Sequence, residues 1–280
     1  MVPTLAGAWD NVRMAEAEST ATAGRPPSDR TRLRRFPEQG SHEDADLYAV
    51  LDAGFVCHLG ITVDGSLMVL PTSYGRSGDR LFLHGSVASR SLRAAKKAPV
   101  EACVTVTHID GVVLARSVFE HSVNYRCAII YGVPTVLDDP ARKLMGLEAI
   151  SNQVAPGQWE YVRSPAPEEL AVTTVLEMDL SESSVKVRQG PPADGDSPDA
   201  ALDVWAGEIP LRTLRLDPVA DPTLREGITL PRHLATGRLA PGWTDPALAE
   251  GVNVVEGSVV YEPVAAAHGM TTVPLDAYLG

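Results

Sequence analysis

The sequence predicts a mainly β protein, built as a small antiparallel barrel with a few helices. Apolar and polar residues alternate with a period of two in several segments, and turn residues such as glycine separate those segments. Only a few stretches have helical periodicity. Many short strands joined by turns, with few helices between them, favour an antiparallel barrel over a doubly wound α/β sheet.

The strands follow from this alternation in chain order. In the first of them Cys57, Leu59 and Ile61 alternate with small or polar neighbours, and Asp64-Gly65 then supplies a hairpin turn. The predicted strands are 55–63, 67–74, 81–84, 100–107, 126–137, 172–180, 184–188 and 204–211. Strand 126–137 is apolar on both faces, so we expect it at the centre of the sheet or at a subunit interface.

Three helices are predicted between these strands. The first covers Asp44–Asp52 and ends at Gly54, a C-terminal capping glycine, and the second begins at Ser86. The third has Asp139 as N-cap and Pro140 at its first position, and it ends at Pro156-Gly157. Its inward residues are predicted to be Leu144, Leu147, Ile150 and Val154.

The chain divides into three predicted parts. Residues 1–28 are rich in Ala, Thr, Ser, Glu and Pro without periodicity, which predicts a disordered leader. Residues 29–217 form the barrel domain, and 218–280 form a C-terminal extension in which only a strand near 258–261 is suggested. Since the sequence has neither a signal peptide nor a long apolar run, we expect a cytoplasmic protein with no membrane association.

Composition and motif content exclude several classes of function. The net charge of −12 argues against a general nucleic-acid binder. Cys57, Cys103 and Cys127 are far apart in apolar stretches, so reduced core thiols are expected. His84, His108 and His121 match no metal-ligand spacing, and no metal site is predicted. The GxSxG, Walker A and GxGxxG motifs are absent from the sequence.

The segment 81–90 is a candidate phosphate cradle. It runs from a predicted strand through Gly85 into a predicted helix start, where free backbone N–H groups and a positive dipole end suit an anion. Ser86 and Ser89 lie three residues apart, and Arg90 adds a planar cationic group. The alternative is an ordinary helix cap at Ser86 with a solvated Arg90.

Three further segments carry polar or aromatic groups that suit an anionic, aromatic ligand. Within 110–126 the relevant residues are Arg116, Ser117, His121, Asn124, Tyr125 and Arg126, and a solvated connecting loop is the alternative. Lys186 and Arg188 share one strand face, which either binds such a ligand or faces solvent. Trp205 either covers an aromatic ligand or packs in the core.

The order of these segments is more specific than any one of them. Arg-Arg-Phe-Pro-Glu (34–38), Gly-Phe-Val-Cys-His-Leu-Gly (54–60), Pro-Thr-Ser-Tyr-Gly (71–75), His-Gly-Ser-x-x-Ser-Arg (84–90), His-Ser-x-Asn-Tyr-Arg (121–126), Lys-Val-Arg-x-Gly-Pro-Pro (186–192) and Trp-Ala-Gly-x-Ile-Pro (205–210) occur in this order. Together they resemble the FMN-binding split-barrel flavoproteins related to pyridoxamine 5′-phosphate oxidase, in the branch with the nitroimidazole-resistance proteins. The resemblance covers roughly residues 30–215.

The resemblance implies a six-stranded antiparallel split β-barrel homodimer with a flavin in each cleft between the subunits. FMN is the expected cofactor, with FAD as the alternative and haem less favoured. The cofactor-binding residues implied by position are Leu70, Pro71, Thr72, Ser86, Ser89, Arg90, Arg116, Ser117, Asn124, Tyr125, Arg126, Lys186, Arg188 and Trp205. His84 and Tyr125 are the candidate catalytic residues.

The function expected from this resemblance is flavin-dependent oxidation or reduction of a small organic substrate. The C-terminal Arg-Leu-His substrate signature of pyridoxamine phosphate oxidase itself is missing, so a vitamin B6 reaction is not predicted. The alternatives are a flavin-sequestering protein without turnover, a haem-binding split barrel with His84 or His121 as axial ligand, and a biosynthetic tailoring oxidase.

Overall fold

The computed structural model describes residues 28–213, 215 and 217–235. The predicted leader therefore lies outside the described residues except for Ser28, as do the suggested strand near 258–261 and most of the C-terminal extension. Within the described residues the helices are α1 (Asp44–Asp52), α2 (Arg90–Lys97), α3 (Pro140–Val154), α4 (Gln158–Tyr161), α5 (Pro167–Ala171) and α6 (Arg232–Ala235). Short 3₁₀ turns lie at Pro37–Gln39, Val118–Glu120, Asp194–Asp196 and Pro198–Ala201.

The strands of the described chain form one curled, antiparallel sheet. They are β1 (Gly40–Ser41), β2 (Val56–Val63), β3 (Ser66–Ser77), β4 (Arg80–Ser86), β5 (Ala102–Leu114), β6 (Ser122–Gly132), β7 (Thr135–Val136), β8 (Thr173–Asp179), β9 (Ser183–Arg188) and β10 (Gly207–Pro210). Their order is β1-β9-β6-β5-β2-β3-β4-β8-β7, and β10 pairs with the far part of β5. The mainly β, antiparallel split-barrel prediction is confirmed.

The period-two alternation positions the core as predicted. Along β2 the residues Cys57, Leu59, Ile61 and Val63 are buried on the inner face, while His58 and Thr62 are exposed on the outer face. The β2–β3 turn is also as predicted: Asp64 and Gly65 both have positive φ, as a two-residue hairpin turn requires.

A second, smaller core lies where α3 crosses the sheet. Its buried residues are Phe82, Leu137, Ile150 and Val175. Helix α3 begins as predicted, with the Asp139 side chain accepting a hydrogen bond from the Arg142 backbone N–H at 2.9 Å. One inward assignment was wrong: Val154 is exposed at the end of the helix, where the neighbouring strands no longer cover it.

Three local predictions were wrong. Strand β4 continues through Ser86, which pairs with Thr173, so α2 begins four residues later than expected, at Arg90. Segment 110–126 is mainly strand, because β5 and β6 extend beyond an irregularity in their register between Ile109 and Gly111. The C-cap of α1 is Ala53 and not the predicted Gly54. A Cβ on Gly54 would lie 2.7 Å from His108 Cε1, so glycine at this position lets the His108 ring approach the backbone closely.

The carbonyl end of α1 is held by side chains from the sheet and from α3. The buried Tyr74 hydroxyl donates to the Leu51 carbonyl at 2.5 Å, and Gln153 Nε2 donates to the same oxygen at 3.0 Å. His108 Nε2 lies 2.9 Å from the Val50 carbonyl. These contacts fix α1 against the barrel.

Replacing Tyr74 with phenylalanine is expected to lower the free energy of unfolding by about 1 kcal/mol, the net value of one hydrogen bond. The loss stays near this value because Leu51 O keeps the bond from Gln153. Chemical denaturation measures the change. Tyr161→Phe, at a half-exposed tyrosine, is the matched control, and an equal loss in both variants would contradict the assignment.

Candidate functional site

The β4–α2 junction presents the candidate phosphate-binding residues. Ser89 is the N-cap of α2, yet no side chain caps the helix start, so its first N–H groups remain available to an anion. Ser89 Oγ lies 3.0 Å from Ser91 Oγ, and Ser86 O accepts the Ser89 N–H at 2.9 Å. The Arg90 guanidinium is exposed, 3.6 Å from the Asp64 carboxylate of the β2–β3 turn.

The tip of the β5–β6 hairpin is fixed by a buried carboxylate. Asp194 accepts the Arg116 backbone N–H at 2.6 Å and its guanidinium at 3.0 Å, and the Asp194 side chain is only 1% exposed. Ser117 Oγ accepts the Phe119 N–H at 3.2 Å, and His121 Nε2 lies 3.2 Å from the Ala115 carbonyl. The tip is therefore rigidly held, although its Phe119 side chain is 89% exposed.

Asn124 and Arg188 form a second polar cluster below this tip. The buried Asn124 donates to Glu208 Oε2 at 2.6 Å and to the Gly190 carbonyl at 3.3 Å. Arg188 donates to Asn124 Oδ1, to the Gly190 carbonyl at 2.6 Å and to the Pro191 carbonyl at 2.9 Å. The segment after β9 is thereby bound to the end of β6.

Arg126 also bonds to a side chain of its own chain. Its guanidinium makes two hydrogen bonds to the Asp110 carboxylate, at 2.8 and 2.9 Å. Across the ladder it faces His108, whose pKa is lowered chiefly by burial and raised in part by its contact with Val50. This pairing joins the candidate site to the end of α1.

Tyr125 and Lys186 lie on the outer face of the sheet. Tyr125 pairs across the strands with Arg188, and burial raises the pKa of its phenol, an effect that Arg188 partly offsets. At neutral pH it therefore remains a hydrogen-bond donor. Lys186 donates to the Arg35 carbonyl at 3.0 Å and lies over the Phe36 ring.

The three candidate residues of β3, Leu70, Pro71 and Thr72, alternate between the two faces of the sheet. Pro71 is exposed on the outer face beside His58, whereas Leu70 and Thr72 are half-buried on the inner face, opposite Leu59 and Cys57. An outer-face groove of about 380 Å³ lies next to Pro71, along β2, β3, β5 and β6. Its lining includes His58, Cys103, Leu67, Val69 and Tyr131.

His84 and Trp205 stand apart from these clusters. His84 Nδ1 is buried with no hydrogen-bond partner, and burial lowers the pKa of the ring, so the imidazole is neutral at pH 7. Trp205 is 63% exposed, and its ring lies beside the Gly207 backbone, where a Cβ would come within 2.9 Å of it. The core-packing alternative for Trp205 is therefore wrong.

The structure brings some of the predicted residues together in two groups, at opposite ends of the sheet. Ser86, Ser89 and Arg90 lie near the β2–β3 turn, beside the end of β2 that pairs Ile61 with Ala102. The second group, around Arg116, Asn124 and Arg188, lies at the other end of the β5–β6 pair. The eight residue steps along β6 from Asn124 to Gly132 span about 26 Å.

Asp194 and Glu208 are the members of the second group that the sequence reasoning missed. Both are single carboxylates in irregular or edge segments, where periodicity gives no signal. The sequence held only an indirect signal for these two carboxylates. Arg116 and Asn124 lie next to apolar strands, and polar side chains that are buried there require polar partners.

Among the described residues, no group of three or more His, Cys, Asp or Glu side chains is arranged to hold a metal ion. No helix in the described part of the chain has the length and apolar character needed to span a membrane.

Comparison with known proteins decides the family. The family model described as pyridoxamine 5′-phosphate oxidase matches residues 43–187, just over half of the chain. The chain belongs to the pyridoxamine 5′-phosphate oxidase family. A search of curated proteins found no match.

Two solved structures are similar to this chain over most of their own length. Flavocytochrome Anf3 from Azotobacter vinelandii is 35% identical, with a TM-score of 0.72, covering 77% of this chain and 100% of that chain. A protein from Mycobacterium smegmatis described as binding FAD and haem is 35% identical, with a TM-score of 0.66. The match covers 70% of this chain and 95% of that chain.

A more distant match is a protein from Bacteroides thetaiotaomicron VPI-5482 described as a 5-nitroimidazole antibiotic resistance protein. It is 18% identical, with a TM-score of 0.45, covering 53% of this chain and 86% of that chain. The family model and the two 35% identical structures confirm the family resemblance predicted from the sequence.

Proposed function

We propose that this protein binds a flavin and acts as a flavin-dependent oxidoreductase on a small organic substrate. The observation that carries the proposal is family membership, together with 35% identity to a flavocytochrome over that protein's full length. FAD is favoured over the FMN expected from the sequence, because the similar Mycobacterium smegmatis protein is described as binding FAD. The flavin supplies the redox chemistry, and the chain binds and orients it.

The β4–α2 junction fits the phosphate of such a cofactor. The uncapped N–H groups of α2, the Ser89 hydroxyl and the exposed Arg90 guanidinium converge on one end of the helix. Arg116, Arg126 and Arg188 are already bonded to carboxylate, amide or carbonyl oxygens of their own chain. Arg90 is therefore the cation most available to the flavin phosphate, and the other three position the surrounding backbone.

A second copy of the chain completes the proposed site. The β6 segment that separates the two ends of the sheet is about 26 Å long, more than one phosphate and ribityl chain can span with close contacts at both ends. Apolar side chains on the outer face, including Leu67, Val69 and Ile109, are at least half exposed. A homodimer that pairs these faces would bring one chain's Arg90 toward the partner's Asn124 end.

His84 and Tyr125 are the proposed catalytic residues. The neutral His84 imidazole can accept or donate a proton near pH 7, and the protonated Tyr125 phenol can donate a hydrogen bond to substrate or cofactor. The substrate is a small organic molecule, for which the outer-face groove of about 380 Å³ has room.

The test is purification of the wild-type protein and of a Ser89→Ala/Arg90→Ala variant. We expect a yellow wild-type protein with one flavin per chain, FAD by mass, and a variant that binds it at least about 100-fold more weakly, since two charge-assisted contacts are lost. Ser181→Ala/Arg225→Ala, at exposed residues away from α2, is the matched control. A colourless wild-type protein that binds neither FAD nor FMN would refute the proposal.

Haem binding is a second candidate, favoured by a separate observation. His84 Nδ1 is an orphaned buried nitrogen on a neutral ring, which is the protonation state that ligates iron. His121, the other candidate ligand, already contacts the Ala115 carbonyl. Titration with haemin would give a Soret band that His84→Ala abolishes and His121→Ala keeps; no Soret band in the wild type rejects this candidate.

A further inference from the structure

Helix α2 belongs to a stretch of the chain from which acidic residues are missing. The chain carries 36 acidic and 24 basic side chains, yet no Asp or Glu occurs between Asp79 and Glu101. The same stretch contains Arg80, and α2 adds four cations in eight residues: Arg90, Arg93, Lys96 and Lys97. We name these four side chains the α2 cationic surface.

The fold directs these cations to solvent on one side of the helix. Ser91, Leu92 and Ala95 bury the opposite side, and the helical repeat of 100° per residue places the four cations on the exposed arc. The side chains of Arg90 and Lys96 are 59% and 63% exposed. The cations therefore extend over about 10 Å of surface along the helix.

In the described part of the chain, the α2 cationic surface makes two ion pairs, and both are long and exposed. Arg90 lies 3.6 Å from Asp64, and Lys96 lies 3.9 Å from Asp138; both carboxylates are highly exposed. Neither distance is that of a hydrogen bond, and exposed pairs of this kind contribute little. By contrast, Arg76 and Arg126 each make two close hydrogen bonds to one carboxylate.

We propose that the α2 cationic surface docks a small acidic electron-carrier protein that reduces the bound flavin. This inference rests on the proposed function, because Ser89 and Arg90 at the start of α2 are the candidate flavin phosphate residues. With Arg90 at the phosphate, Arg93, Lys96 and Lys97 are the cations that contact the carrier. A carrier docked along α2 lies beside that cofactor. Each docked carrier is oxidised by one electron and the flavin is reduced by one, so two dockings complete its reduction, with protons taken from solvent.

Charge complementarity favours a compact acidic protein over the other anions that cations attract. A single phosphate is smaller than the 10 Å over which the four cations extend. A nucleic acid extends beyond the surface and meets the rest of a chain whose net charge is −12. A small acidic protein contacts the local cations alone, which raises its association rate.

The experiment measures the binding of an acidic flavodoxin, as the probe carrier, to the full-length protein by calorimetry at low and high salt. We expect binding at low salt that weakens about tenfold on raising the ionic strength. The test variant is Arg93→Glu/Lys97→Glu, which leaves Arg90 in place and should bind at least about tenfold more weakly. The matched control is Arg32→Glu/Arg225→Glu, which makes the same charge change at exposed arginines elsewhere and should bind as the wild type does.

A second readout separates docking from the flavin chemistry. Stopped-flow reduction of the flavin by reduced flavodoxin should be at least about tenfold slower in the α2 variant, whereas reduction by dithionite should be unchanged. Equal flavodoxin affinity for the α2 variant and the wild type overturns the proposal, as does binding of duplex DNA in place of flavodoxin. Calorimetry measures docking whether or not the protein holds a flavin. A protein without flavin would therefore refute the proposed function, and the calorimetric result would still decide whether the carrier docks.

Discussion

Replacing Gly75 with alanine is expected to destabilise the protein by about 3 kcal/mol or more. A Cβ at this position would lie 2.3 Å from the Ala149 carbonyl carbon and 2.4 Å from the Ile150 backbone nitrogen. Since both atoms belong to the α3 backbone, no side-chain rotation relieves the contact. Helix α3 must move away, and the small core of Phe82, Leu137, Ile150 and Val175 opens with it.

Thermal and chemical unfolding measure this effect. A loss of that size lowers Tm by about 6–12 °C in a domain of this length. Gly195→Ala is the matched control, because a Cβ there meets no atom within 4 Å. A Gly75→Ala protein that melts together with the Gly195→Ala control would show that α3 does not pack on β3 as described.

Replacing Asp194 with alanine is expected to lower the free energy of unfolding by about 2–4 kcal/mol. The buried carboxylate accepts two hydrogen bonds from Arg116, one from the backbone and one from the guanidinium. Its removal leaves the Arg116 N–H without an acceptor and a partly buried cation without a counter-charge. The β5–β6 hairpin tip, with Ser117 and Phe119, should then lose its fixed position.

Chemical denaturation of Asp194→Ala and of Asp196→Ala measures the difference between a buried and an exposed carboxylate two residues apart. Flavin affinity is the second readout, and we expect it to weaken in Asp194→Ala alone because the tip belongs to the candidate site. Stability within about 0.5 kcal/mol of the wild type in Asp194→Ala would contradict the structural role given to this residue.

Much of the barrel was predictable because its strands obey a simple periodicity. Cys57, Leu59 and Ile61 alternate with outward neighbours, and Asp64-Gly65 supplies the positive φ angles of a two-residue turn. Helix α3 was equally readable, since Asp139 and Pro140 mark its start. These features are local, so their physical cause lies within a few residues of the sequence.

The errors occur where pairing with distant strands decides the outcome. Ser86 has the sequence of a helix cap, but pairing with Thr173 keeps it in β4. Polar residues such as Arg116, His121 and Asn124 offered a connecting loop as the alternative for segment 110–126, yet pairing with β6 and β10 extends β5 to Leu114. In both places a ladder partner more than ten residues away overrides the local preference.

The residue types of the candidate site could be predicted from the sequence, but their hydrogen-bond partners could not. Arg116 and Arg126 were singled out as ligand contacts because they flank apolar strands, and Arg188 because it shares a strand face with Lys186. Their partners in the structure are Asp194, Asp110 and the Asn124–Gly190–Pro191 backbone and amide groups. Arg116 and Arg188 meet partners in the segment that follows β9, whereas Arg126 meets Asp110 across the β5–β6 pair. The spacing of these residues in the sequence gives no information on any of these partners.

The internal pairing of these arginines bears on how the cofactor is acquired during biosynthesis. A chain in which Arg116, Arg126 and Arg188 had no partners of their own would hold three unpaired cations until a phosphate arrived, and its folding would depend on cofactor supply. Here carboxylate, amide and carbonyl oxygens of the chain accept their hydrogen bonds, so the barrel can fold first and bind the cofactor afterwards. We therefore expect the empty protein to accumulate in a folded form when cells are short of riboflavin, and to be filled later without new synthesis.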